Sequence, residues 1–502
     1  QYHLEIIRPP IRPDYWDYQW KINHDRDAQK SLTFLGIGSV DDFSVKAPDE
    51  FDEEQQATLE QVPIIDQRTT TVGLSWKRNY KNGKGFMNTV ISTNRLENVF
   101  ARYEDNTSKT GTIFENDSYE WETKLRFQAT QFTDNWKWSV GFNLQNSAYQ
   151  NNTRFVYYDL AYNTDINFAK YGLFVKASSS FLNERLDFSW GIRTDEDSFS
   201  SGSNLLDNIS PRVAISYALT ENNQWKFNAS VGRYFKIPTY TMLGFQNKGG
   251  AFINQQAAYT KSDHFVAGIE YNLTPASRFT VEGFVKNYAN YPISVIDGVS
   301  LANKGGGFEV LGNEEIDAEG EGQSKGVEIL FQQKLSKNFY GVFAYTYFSS
   351  EFSGADGILR PSVWDSRHLI SFSGGYKFKR NWEMSARWRF AGKNPYVPVN
   401  VELSTDSYPE LILDYDRLGE LKLNSFNLAD IRIDKKWNFK SLSFNFYFEV
   451  QNFLAQPNPT PPEYGLNRNM AGSIIIPKDL KEISTTEGNS SPLPTFGFVL
   501  YF

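Results

Sequence analysis

The side chains able to do chemistry in this chain are few and widely spread. There is no cysteine, so thiolate metal sites, disulfides and cysteine nucleophiles are excluded. The four histidines, His3, His24, His264 and His368, fall on different expected strands, and no H-x-x-x-H pair is present. No nucleophile elbow or phosphate-cradling loop stands out. The glycine run after Lys304, Gly305-Gly306-Gly307, does not join a strand to a helix and reads as a flexible tip. Carboxylates concentrate in two stretches. Residues 39–67 hold Asp41, Asp42, Asp49, Glu50, Asp52, Glu53, Glu54, Glu60 and Asp66, and residues 297–321 hold Glu314, Glu315, Asp317, Glu319 and Glu321. Divalent or cationic ligands are one reading of these acids. A solvated charged surface is the preferred one, because calcium-loop spacing is missing. Neither an enzymatic reaction nor a cofactor is expected.

A second set of charges recurs on alternate residues: Arg185, Asp187 and Arg193; Glu282 and Lys286; Glu383, Arg387 and Arg389. Each set interleaves with apolar side chains. Leu186, Phe188, Trp190 and Ile192 oppose the first, and Trp382, Met384, Ala386, Trp388 and Phe390 oppose the last. A period of two puts the two kinds on opposite faces of a strand. The same pattern runs through 136–145 and 441–451 and almost everywhere else, and no helix is expected.

Composition narrows the class. The chain has 502 residues, 16% of them aromatic, with 51 Lys+Arg against 59 Asp+Glu for a net charge of −8. Mean hydropathy is −0.50. Such aromatic content is foreign to disordered chains. No apolar run approaches the ~18 residues of a membrane helix. The acidic balance, without a basic block, argues against nucleic acid as a partner. Gln1 leads straight into Tyr2–Arg8 with no signal-peptide pattern, so the chain is expected to be mature or to begin inside something longer.

Short polar turns are expected near 26–30, 80–84, 133–135, 182–184, 221–224, 274–278, 336–338, 379–381 and 438–440. Long loops are expected near 39–67, 95–119, 148–165, 195–208, 236–261, 297–321, 351–364, 392–424 and 454–493. Nine hairpins and a final strand at 494–502 make nineteen strands, and Tyr2–Arg8 is a candidate for a twentieth. A soluble sandwich would have short loops at both ends, and a propeller would repeat a blade signature. An all-β transmembrane antiparallel barrel accounts for both the alternation and the loop asymmetry. It must close, since unpaired backbone facing lipid costs several kcal/mol per group.

Several ordered motifs over roughly residues 15 to 502 resemble the barrel of a TonB-dependent receptor in the style of the Bacteroidetes. They are Ser210-Pro211-Arg212, Val231-Gly232-Arg233-Tyr234-Phe235-Lys236-Ile237-Pro238, Ala267-Gly268-Ile269-Glu270-Tyr271 and Asn287-Tyr288 with Tyr291-Pro292. Further on come Gly322 with Gly326-Val327-Glu328, Asp365 with Arg367-His368, Gly392-Lys393-Asn394-Pro395-Tyr396, and Arg432-Ile433-Asp434-Lys435 with Gln451-Asn452-Phe453. Phe496, Phe498, Leu500 and Phe502 share one face of the last strand and resemble the C-terminal signal that outer-membrane proteins present to their assembly machinery.

The resemblance implies a 22-stranded barrel, of which residues 1–502 supply about 19–20 strands as one domain without a plug or its first strands. It implies residence in the outer membrane of a Gram-negative bacterium, with short turns periplasmic, long loops extracellular, and lipids and lipopolysaccharide around it. It also implies import of a scarce nutrient with a plug domain and the TonB system as partners. A non-transporting scaffold that docks a surface lipoprotein or other outer-membrane subunits is the alternative. On this reading the alternating charges face the lumen, where they contact a plug, line a substrate path, or pair across the wall.

Overall fold

The computed structural model describes residues 11–27, 29–45, 51–304, 310–484 and 490–502. His3, Tyr2–Arg8 and the Gly305–Gly307 tip lie outside them. Two small two-stranded sheets lie in the loops at 395–422 and 463–484, and alternation produces what it should, one large antiparallel sheet. Its wall strands, in chain order, are β1 (Ile11–Asp27), β2 (Lys30–Val45), β3 (Ile64–Asn79), β4 (Gly85–Asp105), β5 (Thr110–Phe132), β6 (Lys137–Phe155), β7 (Leu160–Phe181), β8 (Leu186–Asp197), β9 (Ser210–Ala218) and β10 (Trp225–Lys236). They continue with β11 (Thr260–Thr274), β12 (Ser277–Ser294), β13 (Ile316–Ser336), β14 (Phe339–Ser353), β15 (His368–Phe378), β16 (Trp382–Ala391), β17 (Phe426–Asn438), β18 (Ser443–Gln451) and β19 (Leu493–Tyr501). The sheet's twentieth segment, Leu359–Pro361, pairs with β14 above β15 and continues its line, so among the described residues nineteen strands form the wall. Each pairs with its sequence neighbours.

All nine expected short turns are present. Several rely on left-handed backbone, at Leu182, Asn183 and Glu184 after β7 and at Arg380 and Asn381 after β15. Two expected long loops are strand instead. Residues 95–105 pair with 110–121 and residues 148–155 with 160–167, leaving tips of only four residues at 106–109 and 156–159. These segments are polar on both faces (Glu115, Asn116, Asp117, Ser118), which reads as loop. β5, however, has 23 residues and at ~3.3 Å each with ~45° tilt rises about 54 Å, far beyond a ~30 Å hydrocarbon layer. Above that layer a strand has no reason to keep an apolar face.

The acidic stretch 39–67 is likewise not all loop. Its ends belong to β2 and β3, and its middle forms helix α1 (Glu53–Gln61). Asp52 caps α1, its Oδ1 accepting from Gln55 N at 2.8 Å, and Glu53 and Glu54 sit in the first turn, where the helix dipole favours them. Asp52→Ala is expected to cost α1 about 1 kcal/mol, seen as faster hydrogen exchange at residues 53–56.

Contacts at one end of the wall show that the sheet curls. Arg468 Nη2 meets Glu60 at 2.7 Å, and Gln61 Nε2 donates to the Tyr464 carbonyl at 2.5 Å. Arg102 on β4 pairs with Glu410. These contacts join loops from opposite ends of the strand order. Nineteen strands at ~4.8 Å would place those ends some 80–90 Å apart in a flat sheet, so the wall must be rolled.

Two faces follow from the register. Leu144, Leu173, Ile192 and Val213 lie on one face, each well exposed, and Trp190, Trp388 and Phe444 share it without being buried. The other face carries Lys124, Arg126, Lys170 and Lys176. The chief buried apolar cluster, Tyr149, Ile166, Phe168 and Tyr240, lies at the polar face of β6 and β7.

Candidate functional site

The loop between β10 and β11 builds the most elaborate polar site. Its sequence, from Ile237 through Tyr240, Met242, Leu243 and Phe245 to Phe252, is too apolar for a solvated loop, and that signal could have marked it as a packed segment. It folds onto the polar face. Helix α2 (Tyr240–Leu243) places the Tyr240 ring against Tyr149 and Phe168, with centroids at 5.8 and 5.4 Å. The Tyr240 hydroxyl donates to the Glu122 carboxylate on β5, accepts from Lys170 Nζ on β7, and lies 3.0 Å from Ser147 Oγ on β6. Lys170 also meets Glu122 at 3.2 Å, and Gln145 Nε2 donates to Glu122 at 2.7 Å. Burial and the neighbouring carboxylate hold the Tyr240 hydroxyl well above the usual phenol range, so it stays a donor at any physiological pH.

A second tie holds the same loop from above. The buried Asn254 amide donates to the Met242 and Glu314 carbonyls at 2.9 and 2.8 Å, and its oxygen accepts from Ile316 N at 3.0 Å. This joins the β10–β11 loop to the β12–β13 loop. There Lys304 bridges Asp297 at 2.7 Å and Glu314 at 3.1 Å, and Tyr162 on β7 donates to Asn313 at 2.7 Å. Tyr259 closes the loop by donating to the buried Asp197 at 2.7 Å, and burial with that carboxylate pushes its hydroxyl up. Across the mouth, Tyr408 donates to Glu60 at 2.6 Å, with burial and then Glu60 raising its hydroxyl. Part of the acidity of 39–67 and 297–321 is thus consumed internally. Among the described residues no group of three or more His, Asp or Glu is placed to hold a metal ion.

The residues singled out by sequence are dispersed along the wall. Arg185 sits in the β7–β8 turn, donating to the Ala218 carbonyl at 3.0 Å and lying over Tyr217. Asp187 accepts from Ser180 at 2.6 Å, and Arg193 forks onto Asp195. Glu282 pairs across from Gly268 and Glu328, and Lys286 across from His264 and Ser324. Glu383 accepts from Tyr340 and lies 3.6 Å from Lys377. Arg387 binds the buried Asp430 at 2.6 Å, while Arg389 lies between Ser371 and Leu428. Beside them Arg432 reaches Asp434 at 2.8 Å and covers the Tyr447 ring. Phe496, Phe498 and Leu500 sit opposite Phe448, Phe446 and Phe444, and these three with Phe502 are at least half exposed.

The profile of the family described as TonB dependent receptor-like, beta-barrel matches residues 14–453. A comparison with curated proteins finds no match. Among solved structures, the ferric citrate transporter FecA in its unliganded form superposes with a TM-score of 0.68 at 12% identity, over 98% of this chain and 71% of that one. The ferripyoverdine receptor of the Pseudomonas aeruginosa outer membrane, bound to ferripyoverdine, gives 0.67 at 13%, over 98% and 65%. The copper transporter OprC gives 0.66 at 13%, over 98% and 72%. The chain spans 65% of the receptor in the FpvAI–pyocin S2 complex as well. At these identities the likeness is one of fold.

Proposed function

Since the chain belongs to the TonB-dependent receptor-like β-barrel family, we propose that it forms the wall and mouth loops of an outer-membrane receptor that imports a scarce nutrient. The apolar face meets lipid and the polar face lines the lumen. The short turns point to the periplasm and the long loops to the outside. The observation that carries this reading is the β10–β11 loop held by Glu122, Lys170 and Asn254 on the polar face. A loop folded inward over a wide lumen narrows the route and puts binding groups on it, as a selective receptor needs and an open pore does not. A plug domain and the TonB system are the partners this function requires. Charges on β15, β16 and β17 pair as Glu383–Lys377, Arg387–Asp430 and Arg432–Asp434, and these pairs act mainly as a self-neutralised part of the wall. Phe496, Phe498, Leu500 and Phe502 serve as the assembly signal of β19.

Growth on limiting nutrients tests the proposal. Deleting the gene should impair growth on one nutrient, and loss of TonB should impair it to the same degree. Growth independent of TonB, together with stoichiometric outer-membrane partners on purification, would support a scaffold barrel that docks a surface lipoprotein instead.

A further inference from the structure

The short-turn end of the wall is unevenly charged. Most of its turns carry their own acids, Asp25 and Asp27 in the first, then Asp134, Glu184 and Glu221. The turn at 80–84 has Lys81 and Lys84 but adjoins the first, whose Asp25 and Asp27 share a cleft with Lys77. Arg278, at the turn 274–278, lies 3.9 Å from Glu270. The last three turns differ. Residues 334–340, 376–382 and 435–446 hold eight Lys or Arg and no Asp or Glu.

Lys435 on β17 is the centre of this arc. It pairs with Trp382 on β16 and Phe446 on β18, and Phe446 pairs with Phe498 on β19. Directly paired residues in an antiparallel sheet project from the same face, so Lys435 stands on the apolar face. Its Nζ lies over the Trp382 ring at 5.2 Å and the Trp437 ring at 5.6 Å, and donates to the Arg380 carbonyl. These contacts fix the ammonium between two aromatic rings. Lys379 and Arg380 on one turn and Lys440 on the next are exposed beside it. The nearest carboxylates, Glu383 and Asp434, project from the polar face, where Lys377 and Arg432 hold them. Four cations therefore share one outer corner of the wall with no acid between them. A plug would fill the other side of the sheet and leave this corner uncovered.

Resting on the reading of the apolar face as the lipid-facing one, we infer that Lys435, Arg380, Lys379 and Lys440 bind the headgroup of an acidic phospholipid. Lys435 stands three residues from the strand end at Asn438, about 7 Å up at ~3.3 Å per residue and ~45° tilt. That is the depth of the interface, where indole rings settle and phosphates lie. Trp382, Trp437 and Phe378 are exposed on the apolar face above the turns and meet the acyl chains, while the cations below meet the phosphate. A zwitterionic lipid also brings a cation, for which this corner offers no carboxylate, so a headgroup of net negative charge is preferred. A soluble anionic partner reaches the turns but not Lys435 and its rings, which lipid covers.

The test is fluorescence quenching of the full-length protein in phosphatidylcholine vesicles that contain a small fraction of brominated lipid. The emission of Trp382 and Trp437 is the difference between the protein and its Trp382→Phe/Trp437→Phe variant. Brominated phosphatidylglycerol should quench that emission several times more than the same fraction of brominated phosphatidylcholine. Arg380→Gln, Lys435→Gln and Lys440→Gln should each lower the preference about fivefold, and the triple variant should bring the two lipids close to parity. Lys435→Arg should keep the preference, and so should Lys81→Gln with Lys84→Gln on the distant turn. Equal quenching by the two lipids, or a preference that survives the triple variant, overturns the inference. So does relief of the quenching by millimolar inorganic phosphate, which would make the corner a site for a soluble anion. Loss of the lipid-facing reading is a separate result, since brominated phosphatidylcholine would then fail to quench either tryptophan at any fraction.

Discussion

Leu144→Arg should destabilise the barrel by about 2–4 kcal/mol in urea titrations from lipid vesicles, the cost of a cation facing lipid near mid-depth. Leu144 lies on β6 seven residues from the short-turn end of the strand at Lys137, about 16 Å along at ~3.3 Å per residue and ~45° tilt. It is 48% exposed on the apolar face. The polar face already carries Arg126 and Lys124 at similar depth, where Arg126 donates to the Asn143 side-chain oxygen at 3.1 Å and Lys124 pairs with Glu122 at 2.6 Å. The two faces thus predict opposite tolerance for one charge. Equal tolerance at Leu144 would mean that lipid does not contact this face, and the membrane reading would fall with it.

Tyr240→Ala should release the β10–β11 loop. Removing a buried aromatic ring of this size costs about 3–5 kcal/mol, and here the loss falls on the docking of one loop rather than on the whole wall. Hydrogen exchange across 237–259 should accelerate about a hundredfold or more while β5, β6 and β7 keep their protection. Tyr240→Phe keeps the ring and loses the hydroxyl's bonds to Glu122 and Lys170, for about 1.5–3 kcal/mol. Unchanged exchange in both variants would show that the loop is held elsewhere, with the Asn254 tie the next candidate.

How much of this was legible depended on whether the signal was local. Trp382 to Phe390 against Glu383 to Arg389 announces a two-faced strand within nine residues, since strand period is a property of the backbone itself. The turns were equally plain, because short polar breaks between such segments admit few other structures. Residues 95–119 conceal their strands because they lack an apolar face, which a strand keeps only where lipid touches it. Helix α1 was hidden in an acidic stretch whose cap and first turn, Asp52, Glu53 and Glu54, are helix signals also shared by solvated loops. Its anchors, Tyr408, Tyr464 and Arg468, come from more than three hundred residues away.

The sequence by itself determined the strands, their nine turns, and which side of each strand is greasy. Those features follow from the chemistry of adjacent residues. Tertiary structure alone decided which charges stand together. Glu122 meets Tyr240, and Lys435 comes beside Arg380 and Trp382, only once register and curvature are set. A shift of one residue in any pairing would turn a whole strand over. Register emerges from the sum of many cross-strand contacts, and no short stretch of the chain contains that sum.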